Sequence, residues 1–230
     1  VINKLSGGVP EYLVEFWIFC VKISAKGISR MTDDKEIVVL TGKEAVGKSS
    51  LIDYLVENGE NKILKLTTRA PRGDETDGKD YKFVTLDEFI GDPTMLVSSR
   101  IGYNLYGINK KSLAEHQGRV FVTLDTDGIL QLEKSVSPQN IRVMMISAPS
   151  RVVIQRMINR GERLDDIRAK RRFDEMMFGD SILKKIKSPV FRLDGSLDVP
   201  ELAKQMYFEL RRYNSGKAAE QANLMDGGRL

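Results

Sequence analysis

The stretch Gly42-Lys43-Glu44-Ala45-Val46-Gly47-Lys48-Ser49 decides the fold of this chain. An apolar run at residues 37–40 precedes it and predicts a buried parallel strand, and residues 49–57 after it have helical spacing. The pattern G-x-x-x-x-G-K-[ST] between a strand and a helix is typical of a loop that binds phosphate groups. Its glycines allow several backbone N–H groups to point inward, and the helix N-terminus adds positive partial charge. We therefore expect an α/β fold with an anion site at the end of its first strand.

The composition limits the chemistry that this chain can perform. Its 230 residues are 41% hydrophobic and 30% charged, which is typical of one globular domain with appendages. A single cysteine, Cys20, excludes an internal disulfide and a cysteine-rich zinc site. A single histidine, His116, argues against a Ser-His-Asp triad or a multi-histidine metal site. The chemistry must therefore rest on lysine, arginine, aspartate, backbone amides and a borrowed metal ion.

One segment carries the excess positive charge. Residues 151–172 contain eight basic and three acidic residues, a net charge of +5, whereas the whole chain has +4. Such a segment suits a polyanionic ligand, and a solvated helix face is the alternative.

Strand-like and helix-like segments alternate after the loop. Apolar runs predict further strands at residues 62–66, 120–124, 141–146 and 190–193. Helical spacing falls at residues 110–117, 150–160, 165–178 and 199–213. Residues 69–106 are rich in turn signals and leave room for short strands only. The alternation predicts a central parallel sheet covered by helices on both faces.

The two ends of the chain differ from this pattern. Residues 1–30 read as an extension or a mis-assigned start before Met31, and a strand or helix packed on the domain edge is the alternative. Their apolar run at residues 12–21 is too short for a membrane helix and contains Glu15. We expect a domain at residues 31–213 and a polar tail at residues 214–230.

Arg69 and Arg72 flank a turn that is stiffened by Pro71, and Tyr81 follows. Two guanidinium groups three residues apart can clamp one phosphate, but solvated arginines on a surface turn are the alternative. Asp125 ends the third apolar run, where it is either a Mg²⁺ ligand or a structural carboxylate.

At these residues the sequence is similar to the guanylate kinase family, in which T-T-R-x-P-R-x-G-E-x-x-G-x-x-Y-x-F follows the phosphate loop. The matching residues are Thr67, Thr68, Arg69, Pro71, Arg72, Glu75, Gly78, Tyr81 and Phe83. Asp74 stands where the family has a glycine. Later stretches at residues 104–107, 124–127, 159–161 and 170–173 resemble the family's N-Y-Y-G, L-D-I-D, G-R-G and K-R-[LM]. The likeness runs from about residue 36 to residue 213 and is most specific over its first fifty residues.

The resemblance implies a three-layer P-loop kinase fold, with an acceptor-binding region at about residues 67–107 and a helical lid at about residues 156–175. Both regions are expected to close on the core when two nucleotides bind. It also implies roles for individual residues. ATP is bound by Gly42, Lys43, Glu44, Ala45, Val46, Gly47, Lys48, Ser49 and Ser50. The acceptor monophosphate is bound by Arg69, Arg72, Tyr81, Tyr106 and Asp127. The catalytic cations are Lys48, Arg72, Arg160 and Arg172. Arg171 is the alternative to Arg172 for the last of these roles. Mg²⁺ accompanies ATP at Ser49 and Asp125.

Two residues with which the family reads guanine are absent, whereas Asp127, which the resemblance places at the acceptor base, is present. A glutamate that reads guanine falls on Val97 or Ser98 here, and a serine or threonine after the N-Y-Y-G motif falls on Ile108. A carboxylate that accepts from guanine is a strong discriminator, so its loss leaves the acceptor base open.

The resulting hypothesis is ATP-dependent phosphorylation of a nucleoside monophosphate, with GMP or dGMP as the first choice. A kinase for another nucleoside monophosphate is the first alternative, and a catalytically silent protein-binding module is the second. Retention of Lys48, Ser49, Arg69 and Arg72 speaks against the silent module. A nucleic-acid binder is a third alternative, but the basic segment lacks interleaved aromatic residues. We expect small nucleotides as partners, no nucleic acid or membrane, a monomer or homodimer, and a cytoplasmic location.

Overall fold

The structure is a computed structural model, and it describes residues 35–178 and 183–226. The predictions for residues 1–30 lie outside the described residues. The strands are β1 (Glu36–Thr41), β2 (Asn61–Lys62), β3 (Leu66–Thr67), β4 (Lys82–Phe83), β5 (Met95–Ile101), β6 (Asn104–Asn109), β7 (Arg119–Thr123), β8 (Ile141–Ser147) and β9 (Val190–Asp194). The helices are α1 (Lys48–Glu57), α2 (Leu86–Gly91), α3 (Lys110–Ala114), α4 (Thr126–Leu132), α5 (Ser150–Asn159), α6 (Leu164–Met177) and α7 (Val199–Asp226).

The main sheet has five strands in the order β2-β7-β1-β8-β9, and every pairing in it is parallel. β1 lies at its centre, where Val38 is paired with Phe121 on one side and Arg142 on the other. The predicted central parallel sheet is therefore confirmed. Because the loop at residues 42–49 follows β1, it lies at the carboxyl edge of the middle strand, where ligands of open α/β sheets bind.

Alternate residues of β1 enter two different hydrophobic clusters. Val38 and Leu40 pack in a cluster that includes Leu51 of α1 and Met206 of α7. Ile37 and Val39 pack in a second cluster that includes Ile129 of α4. Side chains of a strand alternate between the two faces of a sheet, so both faces are covered, and the three-layer α/β arrangement follows.

A second sheet lies in the region that was predicted to bind the acceptor, with four strands in the order β4-β3-β6-β5. β5 and β6 form an antiparallel hairpin, whereas β3 pairs with β4 in parallel. Its small core contains Leu66, Phe89, Met95 and Leu105. The predicted strand at residues 62–66 is divided, because β2 belongs to the main sheet and β3 to the second sheet. Residues 63–65 therefore join the two sheets.

The last helix continues beyond the predicted boundary at residue 213. α7 runs to Asp226, so part of the predicted polar tail is helical. Residues 217–222 include Lys, Ala, Glu and Gln, which are strong helix formers and explain the continuation. In the part of the chain that the structure describes, no helix combines the length and apolar character needed to cross a membrane.

Candidate active site

The loop at residues 42–49 is held in its curled form by close packing against the sheet. Gly42 has φ 139° and Gly47 has φ 107°, values that favour glycine. A Cβ atom on Gly42 would lie 2.2 Å from the carbonyl oxygen of Ile146 in β8. Only glycine fits at residue 42. The end of β1 and the close contact with β8 therefore fix where the loop begins.

Lys48, the first residue of α1, folds back over the loop. Its Nζ donates to the carbonyl oxygens of Gly42, at 2.7 Å, and Lys43, at 2.6 Å. Burial lowers the pKa of Lys48, the negative charges of Glu44 and Asp174 oppose this shift, and the positive charge of Arg160 adds to it. The ammonium group is therefore partly desolvated, and the hydrogen bonds that it donates go to neutral carbonyl groups, which a phosphate oxygen can replace. Ser49 and Ser50 are exposed at the same helix N-terminus.

A carboxylate from α6 occupies part of the loop. The backbone N–H of Glu44 donates to Oδ2 of Asp174 at 2.9 Å, and Asp174 is 8% exposed. Burial raises the pKa of the Asp174 carboxyl, and the hydrogen bond from Glu44 opposes this effect. An anionic oxygen thus already binds one of the loop's N–H groups. The sequence held no signal for this contact, which joins residues 130 positions apart.

Arg156 of α5 links the loop to the end of the sheet. Its Nη1 donates to the carbonyl oxygens of Gly195, at 2.8 Å, and Ala45, at 3.3 Å. An open cavity of 330 Å³ lies beside this link, lined in part by Pro149, Asp194 and Gln205. Arg156 was not among the predicted site residues, although it belongs to the basic segment.

Arg69 is fixed by Glu75 in the acceptor-binding region. The two side chains form a bidentate pair with both N–O distances at 2.6 Å, and Arg69 Nη1 also donates to the carbonyl oxygen of Ala70. The pair lowers the pKa of Glu75 to about 2. These three hydrogen bonds fix the plane of the guanidinium group and leave it with few donors for a ligand.

Two tyrosines complete this cluster. The Arg69 guanidinium lies 4.9 Å from the ring centre of Tyr81, and a hydrogen bond links it to Tyr106. The rings of Tyr81 and Tyr106 are 6.0 Å apart in an edge-on arrangement. Burial raises the pKa of Tyr81, so its hydroxyl stays a proton donor. The structure therefore brings together Arg69, Tyr81 and Tyr106, whereas the Arg72 side chain is exposed and only its backbone N–H binds Glu75.

Helix α4 positions two of the predicted acidic residues. Asp125 is its N-cap and accepts from the N–H of Gly128 at 2.7 Å. Asp127 is exposed in the first turn and accepts from Nε2 of Gln131 at 2.7 Å. The same Gln131 amide also pairs with the N–H and C=O of Ser98 in β5, each at 2.9 Å. Gln131, which the sequence analysis did not identify, therefore joins the second sheet to the helix that carries both acids.

Lys65, in the segment that joins the two sheets, contacts both of them and was also not predicted. Its Nζ donates to Thr123 at the end of β7, at 2.9 Å to Oγ1 and 3.3 Å to the carbonyl oxygen. The same Nζ is 5.6 Å from the ring centre of Tyr81. Burial lowers its pKa to about 8, the charge of Asp125 opposes that shift, and the charge of Lys48 adds to it.

The arginines of the predicted lid differ in their surroundings. Arg160 caps the C-terminus of α5, is exposed, and lies close enough to Lys48 to act on its pKa. Arg171 of α6 contacts Ser150 Oγ at 3.4 Å and is one helical turn before Asp174. Arg172 is exposed. Because residues three apart share a helix face, Arg171 lies on the side of α6 that faces the phosphate loop.

The residues at the expected base-reading positions belong to the core. Val97 and Ile108 are paired across β5 and β6 and are 2% and 0% exposed. Both pack in the cluster that contains Val39 and Ile129. Ser98 is buried as well, and its Oγ has no hydrogen-bond partner in the described part of the chain. These positions therefore present no carboxylate to a base.

The metal-binding capacity of the protein alone is small. Within residues 35–178 and 183–226, no cluster of three or more His, Cys, Asp or Glu side chains could hold an ion. The predicted ligands Ser49 and Asp125 follow β1 and β7 at the carboxyl edge of the main sheet, and two oxygen ligands would suit a Mg²⁺ ion that is bound mainly through phosphate and water. A phosphate loop on the middle strand of a parallel sheet, opposite an arginine–tyrosine cluster, defines a P-loop nucleotide-binding protein.

Comparison with known proteins gives the family. The guanylate kinase family profile, described as "Guanylate kinase", matches residues 34–177. The guanylate kinase of Synechocystis sp. is 32% identical over 144 residues, covering 59% of this chain and 75% of the relative. The guanylate kinase of Prochlorococcus marinus is 28% identical over 173 residues, covering 66% of this chain and 93% of the relative. The crystal structure of guanylate kinase from Anaplasma phagocytophilum matches this structure with a TM-score of 0.57 at 22% sequence identity. The match covers 78% of this chain and 86% of the Anaplasma chain, and it supports the fold.

The family profile covers more than half of the chain, and the chain belongs to the guanylate kinase family. By family it is an enzyme of the nucleoside monophosphate kinase class. The resemblance noted in the sequence is thus confirmed.

Proposed function

We propose that this protein transfers the γ-phosphoryl group of ATP to a nucleoside monophosphate, with GMP and dGMP as the first-choice acceptors. The observation that carries the proposal is that Lys65 contacts both sheets. Its Nζ donates to Thr123 at the end of β7 and lies 5.6 Å from the ring centre of Tyr81. Because Thr123 is paired with Leu40, two residues before the phosphate loop, the loop and the arginine–tyrosine cluster are close together, as a two-substrate transfer requires.

The donor half binds the phosphates of ATP. The N–H groups of residues 42–50 supply hydrogen bonds, and the Lys48 ammonium exchanges its carbonyl partners for phosphate oxygens. Arg156 holds the loop against residue 195, and the 330 Å³ cavity beside it accommodates part of the donor nucleoside.

The acceptor half binds the monophosphate. Glu75 fixes the conformation of the Arg69 side chain. The remaining guanidinium donors of Arg69 can therefore bind a phosphate without a change of rotamer. Tyr81 and Tyr106 add hydroxyl donors, and the exposed Arg72 is free to swing onto the same group. Asp127 at the start of α4 contacts the base.

Ser49 and Asp125 would hold the Mg²⁺ that accompanies ATP. The ion, when bound, neutralises phosphate charge and so lowers the repulsion between the two nucleotides. The exposed Ser49 hydroxyl and the carboxylate of Asp125, which has one oxygen bound to the N–H of Gly128, are hard oxygen ligands that fit this ion.

The lid arginines complete the transfer site. An oxygen of the acceptor phosphate attacks the γ-phosphorus while the bond to the β-phosphate oxygen breaks, and ADP leaves with that electron pair. Arg160 and one of Arg171 and Arg172 stabilise the charge on the transferring group, an effect worth ~10³–10⁵ in rate in related systems. No side chain forms a covalent intermediate, which suits a chain with one histidine.

A kinase for another nucleoside monophosphate is the second candidate function, and the burial of Val97 and Ile108 favours it. Two apolar core residues cannot accept hydrogen bonds from the ring N–H and amino group of guanine. Base selection would then rest on Asp127 and on the shape of the pocket.

The test is ADP formation from Mg·ATP with GMP, dGMP, IMP, AMP, CMP, UMP and dTMP as acceptors, with Lys48→Ala and Lys82→Met as variants. Lys82 is an exposed lysine of β4 and serves as the matched control for a lost charge. We expect turnover with GMP and dGMP that Lys48→Ala abolishes and Lys82→Met retains. If a monophosphate with another base is the best acceptor, the kinase proposal stands and its base specificity is that of the better acceptor. The kinase proposal fails if no acceptor gives Lys48-dependent ADP, and a silent binding module would replace it.

A further inference from the structure

The described structure contains a lysine that its own fold does not need. The segment at residues 63–65 joins the two sheets, and the Lys65 side chain reaches Thr123 at the end of β7 in the main sheet. Its nearest recorded partners are the hydroxyl and carbonyl of Thr123, both neutral. In the described ranges, no ion pair within 4.0 Å joins Lys65 to a carboxylate.

A desolvated ammonium group without an ionic partner is costly to the folded state. A purely structural residue at this position would be expected to be neutral, because Thr123 could be satisfied by an uncharged donor. We therefore expect an anion from outside the chain to bind the Lys65 ammonium group.

The surroundings of Lys65 indicate which anion it meets. Its Nζ lies 5.6 Å from the ring centre of Tyr81, which the proposed function assigns to the acceptor phosphate. Thr123, which accepts from the same Nζ, is two residues before the proposed metal ligand Asp125 and is paired with Leu40, two residues before the phosphate loop. The ammonium group therefore lies near elements that the proposed function assigns to the acceptor phosphate, to the metal ion and to ATP.

We propose that Lys65 is a further catalytic cation of the transfer site, whose ammonium group binds an oxygen of the acceptor phosphate as that oxygen attacks the γ-phosphorus. This inference rests on the proposed function and deepens it. Lys65 takes no proton and forms no bond to phosphorus. It balances charge between two polyanions, since the acceptor carries negative charge into a cleft that already holds ATP.

The experiment measures kcat and KM for Lys65→Met with the best acceptor, beside wild type and Lys82→Met. Methionine keeps an unbranched side chain of similar length and removes the ammonium group, with its charge and its hydrogen bonds to Thr123. We expect kcat to fall about 100-fold, as for the loss of one preorganised donor, with the KM for ATP within twofold of wild type. Lys82→Met should retain kcat within threefold. A kcat for Lys65→Met within threefold of wild type overturns the inference, whatever happens to the acceptor KM, because that result assigns Lys65 to ground-state binding or to structure.

Two measurements keep the outcomes separate. Circular dichroism and thermal unfolding establish that Lys65→Met is folded, and Lys65→Gln replaces it if it is not. If wild type binds GMP but forms no ADP, the proposed function fails while the inference is still tested by GMP titration calorimetry. A tenfold or larger loss of GMP affinity in Lys65→Met would then support a phosphate contact, and an unchanged affinity would overturn it. Absence of binding to wild type by every monophosphate in the acceptor panel would overturn both.

Discussion

Replacing Lys65 with methionine should make the nucleotide-free protein more stable while it removes activity. Burial lowers the pKa of Lys65 from 10.5 to about 8. A difference of about 2.5 between the unfolded and folded pKa values corresponds to roughly 3 kcal/mol of destabilisation, which is an upper bound for Lys65→Met at neutral pH. The hydrogen bonds to Thr123 offset about 1 kcal/mol of this gain when they are lost. We therefore expect a net gain of about 2 kcal/mol at pH 7, or roughly 4–8 °C in Tm.

The sign of the pH dependence follows from which state holds the proton. Below about pH 8 the folded and unfolded chains both carry the proton on Lys65, so the full penalty is present. Between pH 8 and 10.5 the folded chain releases the proton before the unfolded chain does, and the stability contribution of Lys65 improves as the pH rises. The advantage of Lys65→Met should therefore fall from about 2 kcal/mol at pH 7 to roughly 0.5 kcal/mol near pH 9.5.

The assay is urea unfolding of wild type, Lys65→Met and Lys82→Met at pH 7.0 and pH 9.5, in EDTA and without nucleotide. Lys82→Met removes an exposed charge and should change the unfolding free energy by less than about 0.5 kcal/mol. A Lys65→Met protein that is less stable than wild type at pH 7.0 would refute the reasoning. So would a gain that is the same at both pH values, because it would then come from packing and not from charge.

Three further changes test other parts of the site. Asp174→Ala frees the Glu44 N–H for phosphate, and we expect the KM for ATP to fall at least threefold in steady-state assays; a higher KM would contradict competition. Gly42→Ala would place a Cβ 2.2 Å from the Ile146 carbonyl oxygen, so circular dichroism melting should show a loss of about 3 kcal/mol or more and ADP formation should cease. Thr85→Ala removes the capping box of α2 and should cost about 1 kcal/mol by urea unfolding, with Thr85→Ser retaining most of the stability.

The local parts of the fold were predictable from the sequence because their signals are local. About twenty residues contain the strand before residue 42, the glycines of the loop and the helix after it. Each of these patterns predicts a single type of local structure. The alternation of β1 residues between two clusters also follows from a continuous apolar run. The division of residues 62–66 between two sheets was not predictable, because a short apolar run does not reveal where the chain changes partners.

The site could be predicted only where a residue type is distinctive in its own neighbourhood. Arg69 and Tyr81 belong to one short stretch, and the structure brings them together. Lys65, Asp174 and Gln131 meet their partners across 58, 130 and 33 positions, respectively. An isolated lysine, aspartate or glutamine carries no signal of such contacts, since each is common on a solvated surface.

The pairing of Gln131 with β5 also bears on how copies of the protein behave toward one another. β5 is the outer strand of the second sheet, seven residues long, and its first four residues are buried. An outer strand of this length can add a strand from another molecule through its free backbone groups, which leads to aggregation. The Gln131 amide already occupies the N–H and C=O of Ser98 near the middle of the strand. A side chain next to the acceptor cleft thus also protects the molecule against edge-to-edge association.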